Sequence, residues 1–306
     1  MNEAEPYGPL IGTRVRVLTW NVWGKSGPYA RRAKVIEKVV REHDPDVVAL
    51  QEWAGQTLGY EHVTSYGEGG GTEEAEDAGS AQGAVGAQDA GGAESAGDAE
   101  GAGDAEGAKG AKNPEGAKSA EGAACAVLSR WPITRREEHR LPGGDLPGSA
   151  LFCELAGPRG PLQVFSVIIG AYRLDESGAR QEQVRALTAF VGEVASRRRP
   201  ALVCGDFNAG PDSDEIRMLT GRTVPPTPGV VFYDAWEVAG DGGPGHTWCD
   251  ANPWARPGLY PPRRFDYVLS AWPRAGGAGH PVRCEVVGNG PDPGSDHYAV
   301  LAELRY

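Results

Sequence analysis

Five polar clusters interrupt or terminate apolar runs in this 306-residue sequence: Trp20-Asn21, Gln51-Glu52, Gly205-Asp206-Phe207-Asn208, Phe265-Asp266-Tyr267 and Ser295-Asp296-His297. A carboxylate beside a buried strand is costly unless it is paired, hydrogen-bonded or bound to a metal. Singly, each cluster has a bland account: Asp206 forms a turn, Asn21 ends a strand, Glu52 is a rim carboxylate, and His297 is a satisfied structural histidine. Together they supply carboxylate and amide oxygens with one imidazole, each at a place where strand ends can converge. Without clustered Cys or His, that donor set suits a hard cation such as Mg²⁺, which takes one or two carboxylates plus waters and substrate phosphate. A histidine beside one aspartate can act on a water or a phosphoryl oxygen while a second aspartate holds its tautomer. The chemistry indicated is metal-assisted hydrolysis of a phosphoester.

The elements that must position these groups are read from periodicity. Residues 14–20 are rich in β-branched side chains and form a strand ending at Asn21. Val35, Ile36, Val39 and Val40 share one face of a helix over about 29–43, which Asp44-Pro45 stops before a buried strand at 46–51. Further strands are expected at 125–129, at 150–155 and 162–169 around a Gly157–Gly160 hairpin turn, and at 201–204. Three more follow at 265–270, 282–288 and 298–304. The apolar spacing over 179–196 predicts a second helix, with Arg197-Arg198-Arg199 as its solvated end or as a phosphate clamp. The pattern is mixed α/β with much antiparallel pairing, not the strict alternation of a doubly wound parallel sheet.

Charge and composition divide the chain. Residues 67–122 hold 16 Gly, 15 Ala, no aromatic residue and a net charge of −10, leaving only −2 of the total −12 on the remaining 250 residues. Such a segment cannot bury enough surface to offset its ordering entropy, so it is expected to be a disordered insert. The near-neutral body excludes a strongly basic nucleic-acid clamp, although Arg31, Arg32, Lys34 and Arg197–Arg199 remain candidates for a local strip. Five scattered cysteines without a C-x-x-C pair are expected to be reduced and mostly buried. No apolar run is long enough to span a bilayer, and residues 1–13 read as a flexible N-terminus without a secretory signal. A cytoplasmic monomer without an obligate protein partner is the expectation.

In order, Trp20-Asn21-Val22-Trp23, Ala49-Leu50-Gln51-Glu52, Gly205-Asp206-Phe207-Asn208-Ala209, Phe265-Asp266-Tyr267-Val268 and Gly294-Ser295-Asp296-His297 resemble the signature blocks of the endonuclease/exonuclease/phosphatase superfamily. The resemblance covers residues 14–304 apart from the insert and implies one four-layer α/β/β/α sandwich of two packed, mixed, largely antiparallel sheets. It implies Glu52 as the principal Mg²⁺ ligand, with Mn²⁺ as a substitute, and Asp296 near the metal. Asn21 would lie beside the metal and hold a phosphate oxygen, and Asp206 would orient or deprotonate the attacking water. Asn208 would steady that water or the phosphate, His297 would bind the phosphoryl group, and Asp266 would fix its imidazole. The implied partner is a phosphoester, either a small molecule or a nucleic acid.

One departure stands out. Many members of that superfamily carry a histidine that contacts the phosphoryl group at the end of the strand before the second helix. Here Ile168 or Ile169 occupies that place, with Tyr172 and Arg173 just beyond. The loss of a donor makes a non-catalytic phosphoester-binding protein of the same fold the alternative expectation. The segment His246-Thr247-Trp248 with Asn252-Pro253-Trp254 either pins a Pro/Gly-rich loop with buried tryptophans or offers rings for stacking a base or a lipid head group.

Overall fold

Strand alternation builds the core from both sides. In the computed structural model, which describes residues 10–66, 123–143, 147–170, 173–255 and 261–306, the chain runs β1 (Arg14–Asn21), α1 (Tyr29–His43), β2 (Val47–Trp53), β3 (His62–Tyr66), β4 (Ala123–Ser129), β5 (Ile133–Leu141), β6 (Gly148–Leu155) and β7 (Leu162–Ile168). It continues through α2 (Ser177–Val194), β8 (Ala201–Asp206), α3 (Asp214–Leu219), β9 (Phe232–Asp234), α4 (Ala235–Ala239), β10 (Asp266–Ala271), β11 (Pro281–Val287) and β12 (Ala299–Arg305). The expected disorder of 67–122 and the flexibility of 1–9 fall outside the described residues. Within 10–13, the Ile11 amide donates to the Gly276 carbonyl.

Two six-stranded sheets result, ordered β11-β12-β1-β2-β4-β3 and β5-β6-β7-β8-β10-β9. Among the strands of the described residues, β1/β2 and β7/β8 pair in parallel and the other strand pairs are antiparallel. The sheets stack through Val15, Val17, Val47 and Ala49 on one side and Leu151, Val164, Leu202 and Val268 on the other. The opposite faces carry the helices: Leu18, Trp20, Val48 and Leu50 pack with Ile36, Val39 and Val40 of α1. Phe152, Phe165 and Val203 pack with Leu187, Phe190 and Val191 of α2. The order is therefore helix, sheet, sheet, helix, the four layers the resemblance implied.

The parallel pairs and their antiparallel partners bring the C-terminal ends of β1, β2 and β8 to the same end as the starts of β10 and β12. Asp206 pairs directly with Asp266, and Asn21 with Gln51. Gly205 lets β8 lie close against β7, because a Cβ there would lie 1.8 Å from the Val167 carbonyl oxygen. Four of the five cysteines are buried, Cys249 is half-buried, and all are free thiols. Burial pushes the Cys125 and Cys153 thiols up to about 12. Among the described residues no helix is long and apolar enough to cross a membrane.

Candidate active site

Parity places most of the site. In β1, Val15 and Val17 point between the sheets, and Asn21 continues that series at the strand end. In β8, Leu202 and Cys204 point inward and Asp206 follows them; in β10, Asp266 shares the inward face of Val268. Glu52 breaks the rule. Val48 and Leu50 face α1, so strict alternation would send Glu52 the same way, yet Trp53 packs there instead. The exchange occurs because Glu52 adopts a left-handed backbone, φ 53°, which resets the alternation and turns its carboxylate toward Asn21. Trp23 (φ 57°) and Asn208 (φ 48°) are likewise left-handed, so strained backbone concentrates around this end of the sandwich.

Asn21 joins the two sheets. Its Nδ2 donates to Glu52 Oε1 at 3.1 Å and to Asp206 Oδ2 at 3.0 Å, while its Oδ1 accepts the Trp23 amide at 3.0 Å. With the oxygen engaged by backbone, Asn21 offers donors at the site. Asp206 Oδ1 accepts the Asn208 amide at 2.9 Å, and Asn208 Nδ2 donates to the Ile169 carbonyl at 2.8 Å. His297 Nδ1 lies 2.8 Å from Asp266 Oδ2, and its Nε2 lies 3.9 Å from Asp206 Oδ2.

The electrostatics split the carboxylates. Burial raises the Asp206 carboxyl to about 7, and the charge of Asp266 adds to the rise against the pull of His297. Burial opposes charge on His297 too, but Asp266 and Asp206 overcome it and hold the imidazole protonated well above its ordinary range. Glu52 is raised by burial and then by the Asp296 charge; Asp296 is raised chiefly by burial. Asp206, Asp266 and His297 also present ligand atoms within 4.8 Å of one another. The Nδ1 contact with Asp266 and the protonation of the ring make that trio a poor cation site. Glu52 and Asp296 fit a divalent ion better: both are half-buried, so waters can complete a shell, and a cation would offset charge that the fold leaves opposed.

Supporting residues complete the arrangement. Ser295 Oγ donates to the Asn21 carbonyl, and Trp20 Nε1 donates to the His297 carbonyl at 2.9 Å. Asn252, fully buried, donates to the Ser295 and Asp296 carbonyls, while the Thr247 hydroxyl accepts the Phe265 and Asp266 amides. Trp248 is buried with Phe265, so it pins the loop, whereas Trp254 is only half-buried. Arg32 is a site-supporting residue that motif reading misses. Its buried guanidinium donates to the carbonyls of Val22, Trp23, Gly24, Ser26 and Gly294, tying the β1–α1 loop to the loop before His297. The available signal was an arginine one turn before Ile36 on the apolar stripe of α1.

Arg31, Arg197 and Arg199 of the candidate basic strips have partners within the protein. Arg31 pairs with Asp292, Arg197 donates to the Pro228 carbonyl and lies over Trp272, and Arg199 donates to the Arg159 carbonyl. Arg197–Arg199 also lie beyond the helix, which ends at Val194. Of the two isoleucines, Ile168 packs toward the sheet interface opposite Asp206, and Ile169 is buried under α2. Arg173 is exposed and pairs with Asp175; Tyr172 lies outside the described residues.

Residues 18–297 match the Endonuclease/Exonuclease/phosphatase family, and the chain belongs to it. Among solved structures, D. rerio TDP2 complexed with a single-strand DNA product superposes with a TM-score of 0.66 at 15% identity, covering 96% of this chain and 100% of that one. The endonuclease/exonuclease/phosphatase from Bacteroides vulgatus gives 0.61 at 16% identity over 95% and 98% of the two chains. The one from Beutenbergia cavernae gives 0.61 at 20% identity over 95% and 71%. No curated protein matches significantly by sequence.

Proposed function

We propose that this protein hydrolyses a phosphoester with the aid of Mg²⁺ or, in its place, Mn²⁺. The observation that carries the reading is the division of charge around Asn21. Its Nδ2 bridges Glu52, whose charge is opposed by that of Asp296, and Asp206, which has a pKa near neutral and lies 3.9 Å from the His297 imidazolium. Glu52 and Asp296 would hold the ion, with Asn21 alongside. A divalent cation held there would supply polarisation of a phosphoryl oxygen and positive charge opposite an anionic transition state.

The side chains divide the remaining work. Asp206 takes the proton of the attacking water, its raised pKa matching it to neutral pH. Asn208, clamped to the Ile169 carbonyl and to Asp206, limits the directions from which that water can approach. His297 donates from Nε2 to the phosphoryl group, and Asp266 keeps Nδ1 protonated and the ring fixed. Asn21, with both of its N–H groups donated to Glu52 and Asp206, holds those two carboxylates in place across the sheets.

Ile168 favours a second reading, binding without turnover, because it places an apolar wall where a donor is expected. The intact set of charged groups supports turnover. The two are separated by purified protein on a panel of bis-p-nitrophenyl phosphate, single- and double-stranded DNA, RNA, inositol phosphates and sphingomyelin, with Mg²⁺, Mn²⁺ and chelator arms. Chelator-sensitive hydrolysis lost in Glu52→Gln and His297→Ala is expected; binding with no turnover on any substrate would leave the second reading. With Arg31 and Arg32 engaged within the protein, a short or single-stranded phosphodiester fits better than a long duplex, and the DNA-bound TDP2 structure makes it the first substrate to test.

A further inference from the structure

Two tryptophans stand on matching turns built by residues beside this site. In Asn21-Val22-Trp23 the Trp23 amide donates to Asn21 Oδ1 at 3.0 Å; in Asn252-Pro253-Trp254 the Trp254 amide donates to Asn252 Oδ1, also at 3.0 Å. One asparagine lies between Glu52 and Asp206, and the other holds the Asp296 carbonyl. Each turn therefore sets an indole two residues from a group that builds the phosphoryl site. The ring centroids are 6.1 Å apart and tilted by 39°, and both side chains are half-buried.

Both rings are fixed despite their exposure. Trp254 Nε1 donates to the Pro293 carbonyl at 3.0 Å. Trp23 keeps a left-handed backbone, packs against Gly27 and carries the Arg32 guanidinium 4.8 Å from its ring centroid. A bulky residue in that backbone region is costly, and the Arg32 hydrogen bonds to the Trp23 and Gly24 carbonyls hold it there. Rigid, partly exposed aromatic faces are suited to stacking, since little ordering remains to be done on binding.

Charge selects the occupant. A cage for a quaternary ammonium uses the negative faces of its rings. Here the buried Arg32 guanidinium already takes one face of Trp23, so a second cation gains less from that ring. An uncharged planar ring meets no such penalty. We propose that Trp23 and Trp254 form a stacking subsite for a nucleobase carried by the phosphoester, which makes the substrate a nucleotide or a single nucleic-acid strand rather than a cationic lipid head group. The inference rests on Glu52 and Asp296 marking the phosphoryl site.

The test uses the full chain in EDTA, so that binding is read apart from turnover. Quenching of tryptophan emission and anisotropy of labelled strands give Kd for tetrathymidylate, for an abasic strand of equal length, for thymidine 5′-monophosphate and for phosphocholine. The base-bearing strand should bind about tenfold more tightly than the abasic one. Trp254→Ala should bring the two within about twofold, and Trp254→Phe should keep most of the preference; thermal melts establish that both variants fold. Quenching by the monophosphate as strong as by the strand would assign the subsite to free nucleotides; a preference confined to the strand would assign it to nucleic acid. Equal binding of base-bearing and abasic strands, a preference that survives Trp254→Ala, or binding of phosphocholine would overturn the proposal. Turnover in Mg²⁺ without base preference would sink this subsite and leave the hydrolase reading standing, while base preference without turnover would do the reverse.

Discussion

The Nδ1 of His297 lies 2.8 Å from Oδ2 of the fully buried Asp266, and this contact decides which nitrogen faces Asp206. The carboxylate fixes the proton on Nδ1, so Nε2 is the nitrogen turned to the reacting space, 3.9 Å from Asp206 Oδ2. An aspartate that holds a histidine in this way acts on tautomer, orientation and charge together.

Asp266→Asn should therefore lower kcat by about 10²–10⁴-fold while leaving the fold intact, the scale seen when a tautomer-fixing aspartate is neutralised. Asp266 raises the His297 pKa, so its loss moves that pKa down and shifts the basic limb of the pH–rate profile to lower pH. His297→Ala should cost a similar factor, and the double variant little more, because the pair acts as one unit. An unshifted basic limb in Asp266→Asn would mean that His297 does not act as the acid.

Metal binding should stabilise the protein more at pH 8 than at pH 5.5. A carboxyl whose pKa is raised by folding loses stability as pH climbs from its unfolded value through its folded one. For Asp206 that window runs from about 4 to about 7. Glu52 and Asp296 are raised in the same direction. Deprotonated ligands bind the ion and protons compete with it, so the Tm gain from millimolar Mg²⁺ should grow across that range and disappear in Glu52→Gln. A gain of equal size at both pH values would place the ion on other groups.

The fold and the constellation were legible because apolar runs end in acids and amides at five places, and alternation carries those ends to one face. Of the elements that escaped reading, β5, Ile-Thr-Arg-Arg-Glu-Glu-His-Arg-Leu, is a charged edge strand and β3 is half-buried throughout, while α3, β9 and α4 are too short to show a period. The placement of Glu52 was not legible, because period-two reasoning turns it toward α1 and only its left-handed backbone turns it back. Arg32 was legible only in part: its place on the apolar stripe of α1 marks it as buried, but the carbonyls it holds come from two loops far apart in sequence.

The two isoleucines should respond oppositely to histidine. Ile168 pairs with Asp206 and packs toward the sheet interface, so Ile168→His puts an imidazole beside the reacting space. It should raise kcat by about tenfold, a fraction of what an optimised donor supplies. Ile169 is fully buried in the core under α2, so Ile169→His should destabilise by about 2–4 kcal/mol without a gain in rate. Thermal melts and initial rates on the same preparations distinguish the two, and a rate gain from position 169 would place that side chain, and not that of 168, beside the reacting space.

Replacing residues 68–121 with a short Gly/Ser linker should leave both Tm and hydrolytic rate nearly unchanged. The strands flanking that stretch are hydrogen-bonded neighbours: β3 and β4 pair antiparallel with His62 opposite Ser129 and Tyr66 opposite Cys125. Their facing ends are therefore at hairpin distance, and a few residues suffice to join them. Shortening the connection lowers the entropic cost of closing it, which grows only logarithmically with length, so the expected change in stability is small and favourable. The removed stretch carries most of the net charge of −12, so the shortened protein should run with a markedly higher isoelectric point than the parent, about 5.0. The rate should hold because Asn21, Glu52, Asp206, Asp266, Asp296 and His297 take their positions from contacts among themselves and their supporting loops. A fall in rate beyond about tenfold with Tm unchanged would assign 68–121 a part in substrate handling, and a fall in Tm would assign it a part in the fold.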